Sequence, residues 1–244
     1  MKDTIVIGAT GGVGSSIVKF LTTLAETGNI TTIGRRHPST THEKISSIVE
    51  ADTAQWPLRL PPVTAATPTT FFSALGTTRA AAGGLEQQIK IDRDLNLEMA
   101  KAAKAAGVTT YVLISSNSAS ASSWSSYLRF KGELEDGVKE LNFDKTVIVQ
   151  PGLILVEREE KRLAEAATQM MARGLSRLFG ERAIGCVAQS HDKIARAAVR
   201  EALGHPERQG VVVLSQADIM KLGFDASPVL VPEAAAASTE AAAS

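Results

Sequence analysis

Residues Thr4 to Leu21 read as two periodicities in succession. Ile5, Val6 and Ile7 form a short unbroken apolar run, the pattern of a strand buried on both faces of a parallel sheet. Gly8 ends the run. Ile17, Phe20, Leu21 and Leu24 then recur at i, i+3, i+4 and i+7, so one face of a helix can lie on that sheet. The alternation continues along the chain. Ile30 to Arg36 reads as a second strand and its exit, Lys44 to Asp52 as a third, and Thr69 to Arg79 as a fourth. An Ala-rich helix follows from about Leu85 to Ala106, then a fifth strand over Thr109 to Ser116. A helix runs from roughly Ser126 to Leu141, and a sixth strand begins at Lys145 and leads to Pro151 and Gly152. Strands alternating with helices at this spacing predict an α/β fold with a doubly wound parallel sheet, whose ligands sit outside the carboxyl ends of the strands.

Beyond Gly152, Glu157 to Phe179 has helical character with basic residues beside Leu and Phe. It reads as a core-packed helix with a solvated face, or as a surface that touches an acidic membrane or a partner. Asp192 reads as the cap of a helix over Lys193 to Leu203, and Gly210 to Gly223 supplies a late strand and a short helix. We expect one domain over residues 1–231, with 153–190 covering the ligand edge of the sheet and 232–244 forming a disordered Ala-rich tail.

Composition narrows the function classes. The 244 residues carry 26 Lys plus Arg against 26 Asp plus Glu, so no overall field favours nucleic acid. Cys186 is the single cysteine, which excludes an internal disulfide and suits a reducing compartment. Leu60 to Thr78 is free of charge, but Pro61, Pro62 and Pro68 and many threonines disqualify it as a membrane span. A cleavable presequence is hard to place, because the first strand begins at about Thr4. No metal-ligand spacing is present in the sequence.

The glycines carry the first chemistry. A strand, a glycine turn and a helix bring unpaired N–H groups and the positive end of a helix dipole to one point, which attracts an anion. Gly8 permits the turn, Gly11 lets a pyrophosphate approach, and Gly14 lets the helix pack on the strand; Thr10, Gly12 and Val13 complete the cradle. A glycine-rich turn without a ligand is the plainer alternative. At the exit of the second strand an NAD site usually places Asp or Glu, whereas this chain offers Arg35 and Arg36. Two guanidiniums suit a 2′-phosphate and point to NADP(H), the alternative being a solvated basic turn. Asp52 either meets the adenine edge or is a simple exposed aspartate.

The second chemistry lies in Ser115 to Glu135. Tyr127 and Lys131 stand at i and i+4, so on a helix they share a face. A neighbouring ammonium favours the phenolate, and Tyr127 is therefore expected to have a lowered pKa and to trade a proton with a carbonyl or alcohol. Lys131 would also hold the nicotinamide ribose. Ser116 would hydrogen-bond the substrate oxygen, with Ser115 and Ser118 as rivals.

The blocks GATGGVG, ISS, YLRFK and QPG resemble the atypical or extended branch of the short-chain dehydrogenase/reductase superfamily. More narrowly, IGRR, LGTTRAAAGG, KIDRDLNLEMAKAAKAAGV, YLRFKGELE and FDKTVIVQPGLIL resemble the Tat-interacting oxidoreductase family, whose fungal members are peripheral to the mitochondrial outer membrane. The likeness spans roughly residues 3–203. It implies an NADP(H)-binding Rossmann fold with Gly76 and Thr77 flanking the cofactor, Ser116, Tyr127 and Lys131 as the catalytic set, and Pro151 and Gly152 near the nicotinamide. It also implies a cytosol-facing mitochondrial location and a homodimer. Asp92 departs from the Asn of many superfamily members.

Three functions follow as expectations: an NADPH-dependent oxidoreductase acting on a small carbonyl or alcohol; a protein that holds NADPH to stabilise a partner surface; and, least favoured by Arg35 and Arg36, a methyltransferase.

Overall fold

The structure is a computed structural model that describes residues 1–64, 69–154 and 188–224. The expectations for Glu157 to Phe179, Cys186 and the Ala-rich tail concern residues outside these.

Strand β1 (Lys2–Ile7) leads through Gly8 to helix α1 (Gly12–Thr22), and β2 (Thr27–Gly34) and β3 (Ile45–Val49) follow. A 3₁₀ turn (Thr53–Arg59) precedes β4 (Thr69–Ser73) and the short helix α2 (Arg79–Ala82). The helix expected over Leu85 to Ala106 is present, but in three pieces: α3 (Leu85–Ile89), a π turn (Lys90–Leu95) and α4 (Asn96–Ala105). β5 (Thr110–Ile114), α5 (Ser126–Glu140) and β6 (Lys145–Val149) complete the second half. A small ribbon pairs β7 (Leu153–Ile154) with β8 (Ala188–Gln189), and α6 (His191–Gly204), β9 (Gly210–Leu214) and α7 (Gln216–Phe224) close the described chain.

Seven strands form one parallel sheet in the order β3-β2-β1-β4-β5-β6-β9. Side chains alternate across it. Val6, Phe72, Val112 and Val147 face α1 and α6, while Ile5, Ile7, Phe71, Tyr111 and Leu113 face α4 and α5. Both faces are therefore apolar, which is why the strands read as continuous hydrophobic runs. Chain direction across the sheet reverses between β1 and β4, and the crevice outside their carboxyl ends is the ligand position of such sheets.

The opposite edge of the sheet is held by charge. Lys145, buried at the start of β6, donates to the carbonyl oxygens of Glu201 (2.6 Å) and His205 (2.8 Å) and pairs with the Glu201 carboxylate at 3.1 Å. Lys2 donates to the Leu203 carbonyl at 3.0 Å. Two cations thus meet the last carbonyls of α6, where the helix dipole is negative. Asp192 is not the cap of that helix. Ser190 is, accepting from the Lys193 N–H at 3.4 Å, and Asp192 instead accepts from Ser16 of α1 at 2.7 Å.

Candidate active site

The turn after β1 is shaped by backbone crowding. Gly8 has φ +77°, and a Cβ there would collide with the Ala74 carbonyl at the end of β4; a Cβ on Gly14 would collide with the Gly8 carbonyl. Gly11 differs, because a Cβ there would meet only the Gly8 oxygen, at 3.4 Å, and otherwise points into open space. No side chain caps α1 and no acidic residue stands in its first turn. A free helix N-terminus over an open approach fits a dinucleotide pyrophosphate. Gly12 has another reason: a Cβ there would enter the imidazole of His191, from the first turn of α6. Nothing near Gly12 in the sequence signals this.

Two hollows lie at this edge of the sheet. One is lined by Gly8, Thr10, Thr32, Arg35, Arg36 and Trp56. Arg35 and Arg36 are both exposed, with no ion-pair partner among the described residues. Asp52 does not line this hollow; its carboxylate accepts from the Ala54 N–H at 3.0 Å and caps the 3₁₀ turn.

The other is a cleft of about 1040 Å³ over the ends of β4, β5 and β6. Thr77, Ser116, Tyr127, Pro151 and Gly152 all line it, so five of the expected site residues converge there. The Asn117 N–H donates to the Pro151 carbonyl at 2.8 Å and ties the serine loop to the exit of β6. Arg79 and Trp124 also line the cleft, and the functional reading of the sequence had used neither.

Ser116 is the serine that shares the cleft wall with Tyr127 and whose hydroxyl pulls against the upward shift of the phenol's pKa. Its rivals are engaged or turned away. Ser115 is buried and donates to Glu135 at 2.5 Å, and Ser118 lies exposed with φ +62°.

The electrostatics correct one expectation. Tyr127 has a raised pKa, not a lowered one: burial is the larger cause and the Asp92 charge adds to it, against the Ser116 hydrogen bond. The ring remains 41% exposed toward the cleft and packs edge-on against Phe130 at 5.4 Å. Lys131 lies buried behind the cleft wall and does not line it. Burial pulls its pKa down, and Asp92 and Glu135 pull it up. The ammonium therefore faces two carboxylates rather than the phenol alone.

Asp92 reaches this place through the π turn. It is buried, accepts from the Thr77 N–H at 2.7 Å, and carries a raised pKa because burial outweighs Lys131 and the hydrogen bonds from Thr77 and Gln88. Asn96, on the next turn, is wholly buried and donates to the Leu75, Ile91 and Asp92 carbonyls while accepting from Ser73. Glu135 accepts from Gln150 at 2.9 and 3.1 Å as well as from Ser115. The i+4 spacing of Tyr127, Lys131 and Glu135 on α5 was available in the sequence; the approach of Asp92 was not.

Residues 4–125 match the model of the NAD dependent epimerase/dehydratase family. The chain is 47% identical over 207 residues to "Protein fmp52, mitochondrial" of Emericella nidulans, covering 83% of this chain and 88% of that one. It is 42% identical over 230 residues to the Neurospora crassa protein fmp-52, covering 91% and 95%. Among solved structures, MoeE5 in complex with UDP-glucose and NAD superimposes with a TM-score of 0.61 at 16% identity, over 87% of this chain and 75% of that one. A short chain dehydrogenase family protein from Francisella tularensis gives 0.62 at 13% identity, over 90% and 99%. The fold is thus that of the nicotinamide-dinucleotide enzymes, and the chain belongs to the NAD dependent epimerase/dehydratase family, in its extended short-chain dehydrogenase/reductase branch, alongside the fungal mitochondrial fmp52 proteins.

Proposed function

We propose that this protein is an NADP(H)-dependent oxidoreductase that interconverts a small carbonyl compound and its alcohol. The observation that carries the reading is the convergence of Thr77, Ser116, Tyr127, Pro151 and Gly152 on one open cleft, at the sheet edge that also carries a glycine turn whose helix N-terminus is uncapped. Bound NADPH supplies the hydride. The Tyr127 phenol gives its proton to the carbonyl oxygen, which the Ser116 hydroxyl also holds by hydrogen bonding. Burial, with the Asp92 charge, raises the pKa of that phenol, which suits it to the role of proton donor. Lys131, whose pKa burial lowers against the pull of Asp92 and Glu135, supports Tyr127 from behind the cleft wall, and the family resemblance gives it the nicotinamide ribose as a partner. Gly8, Thr10, Gly11, Gly12, Val13 and Gly14 receive the pyrophosphate, Arg35 and Arg36 the 2′-phosphate, and Gly76, Thr77, Pro151 and Gly152 flank the nicotinamide half. The names of the fungal relatives support a mitochondrial protein. The family resemblance extends this to a peripheral position on the outer membrane, facing the cytosol, and no helix among the described residues is long and apolar enough to cross a membrane.

Calorimetric titration with NADPH and NADH, followed by a carbonyl panel read as loss of reduced nicotinamide, tests the reading. Arg35→Ala with Arg36→Ala should weaken NADPH far more than NADH, because the 2′-phosphate alone loses its partners; equal losses would remove the assignment. Tyr127→Phe should bind NADPH nearly as before and lose turnover by about 10² to 10⁴. Unchanged turnover would rule Tyr127 out.

A second reading is favoured by one observation, the upward shift of Tyr127 with Lys131 engaged by Asp92 and Glu135. On that reading the protein holds NADPH to stabilise a partner surface, and tight binding without consumption across the panel is its signature.

A further inference from the structure

The cleft beside Tyr127 is electrically one-sided. Among the described residues that line it, Arg79 alone carries a formal charge; the others are hydroxyl, amide and apolar groups. Its guanidinium is exposed and has no hydrogen-bond or ion-pair partner among the described residues. Asp92 is buried and committed to the Thr77 N–H and to Lys131. A lone cation without a counter-ion in a concave site attracts an anion, and a guanidinium matches a carboxylate through two parallel hydrogen bonds.

The cofactor leaves Arg79 uncommitted. Under the reading above its pyrophosphate meets the N-terminus of α1, and its 2′-phosphate meets Arg35 and Arg36 in a separate hollow that Arg79 does not line. The cleft has a second feature of its own. Trp124 is 94% exposed and lines the same cleft, whose apolar lining includes Leu85 and Pro151. An open indole face takes a flat conjugated group.

We infer that the cleft selects carbonyl compounds bearing a carboxylate on a flat apolar frame, with Arg79 as the anion partner and Trp124 as the stacking wall. The inference rests on the oxidoreductase reading for what happens next, but not for binding. In the reaction the carbonyl carbon accepts a hydride from the reduced nicotinamide and the carbonyl oxygen takes the Tyr127 proton; the products are the alcohol and the oxidised cofactor, and solvent returns the proton to Tyr127.

The test uses the full chain saturated with NADP⁺, so that binding is read without turnover. Benzoylformate and 4-carboxybenzaldehyde are titrated against their methyl esters by calorimetry, with Trp124 emission as a second readout. The acids should bind about tenfold more tightly than the esters, the scale of one charge-assisted pair. Arg79→Gln should erase that preference and leave NADP⁺ affinity unchanged, and Trp124→Phe should remove the emission change. Equal binding of acid and ester would overturn the inference, as would a loss of NADP⁺ affinity in Arg79→Gln that matches the loss for the acids. A preference for acids without any consumption of NADPH would uphold the anion site and sink the reductase reading. Equal consumption of acids and esters, indifferent to Arg79, would do the reverse.

Discussion

Gly11 and Gly14 look alike in the sequence and should behave in opposite ways. Gly11 has φ −83°, which any L-residue adopts, and a methyl group there meets open space. Gly11→Ala should therefore shift stability by no more than about 0.5 kcal/mol, the usual size of a surface substitution, while weakening dinucleotide binding tenfold or more by occupying the pyrophosphate approach. Gly14→Ala drives a methyl into the Gly8 carbonyl and should cost about 1–3 kcal/mol, the range for overpacking a tight contact. Urea unfolding beside NADPH calorimetry separates the two. Loss of stability in Gly11→Ala with binding intact would show that the open side of the turn does not face the cofactor. The residue scale is also where sequence patterns are strongest, since the spacing of these glycines and of Tyr127 and Lys131 needed no partner from elsewhere to be noticed.

At the scale of the element, the π turn over Lys90–Leu95 is the feature that sequence periodicity did not disclose. One extra residue in a helical turn leaves the apolar pattern readable as a single helix, and π turns of this kind gather at functional sites. Here it carries Asp92 to Thr77 and Lys131, and that charge lifts the pKa of Tyr127. The chain has two tyrosines, and both are shifted upward, Tyr111 by complete burial between Phe71 and Phe143. Phenolate absorbance of the cofactor-free protein should show neither ionising below the ordinary tyrosine value of about 10. Asp92→Asn keeps an acceptor for the Thr77 N–H but removes the charge, so one tyrosine should ionise at lower pH than in the parent. A tyrosine step well below pH 9 in the parent would mean that Lys131 dominates after all. The linkage has a sign for stability too. Asp92 holds its proton more tightly when folded, so its ionisation weakens the fold as pH rises through its folded-state pKa, and below the ordinary aspartate value that penalty is gone.

Across the whole molecule, the sheet's two ends do different work. The carboxyl ends of the strands carry the turn, the hollow and the cleft, and the amino ends carry the lock of Lys145, Glu201 and Arg208. Glu201 is fully buried, so Lys145→Met leaves its charge with Arg208 alone and should destabilise the protein by about 3–5 kcal/mol. Replacing both partners, Lys145→Met with Glu201→Leu, should recover much of that loss, because no unpaired charge then remains buried. Chemical denaturation measures both. Equal destabilisation by the single and double variants would show that the carbonyl contacts of Lys145, rather than the ion pair, hold α6 in place.

The order of strands and helices, the glycine turn, Arg35 and Arg36 after the second strand, and Tyr127 with Lys131 on one helix face were all decided by local sequence. Hydrophobic periodicity reports burial of an element's own face, and i to i+4 spacing reports neighbours on that same element. The tertiary structure alone decided that Ser116 and Tyr127 line one cleft while Ser115 turns to Glu135, that Lys131 is buried and acted on by two carboxylates, that Gly12 makes room for His191, and that Arg79 and Trp124 line the same cleft. Each of these depends on groups brought together from distant parts of the chain. The direction of a pKa shift is set by the summed burial and charge at one point in space, which no spacing along the chain encodes.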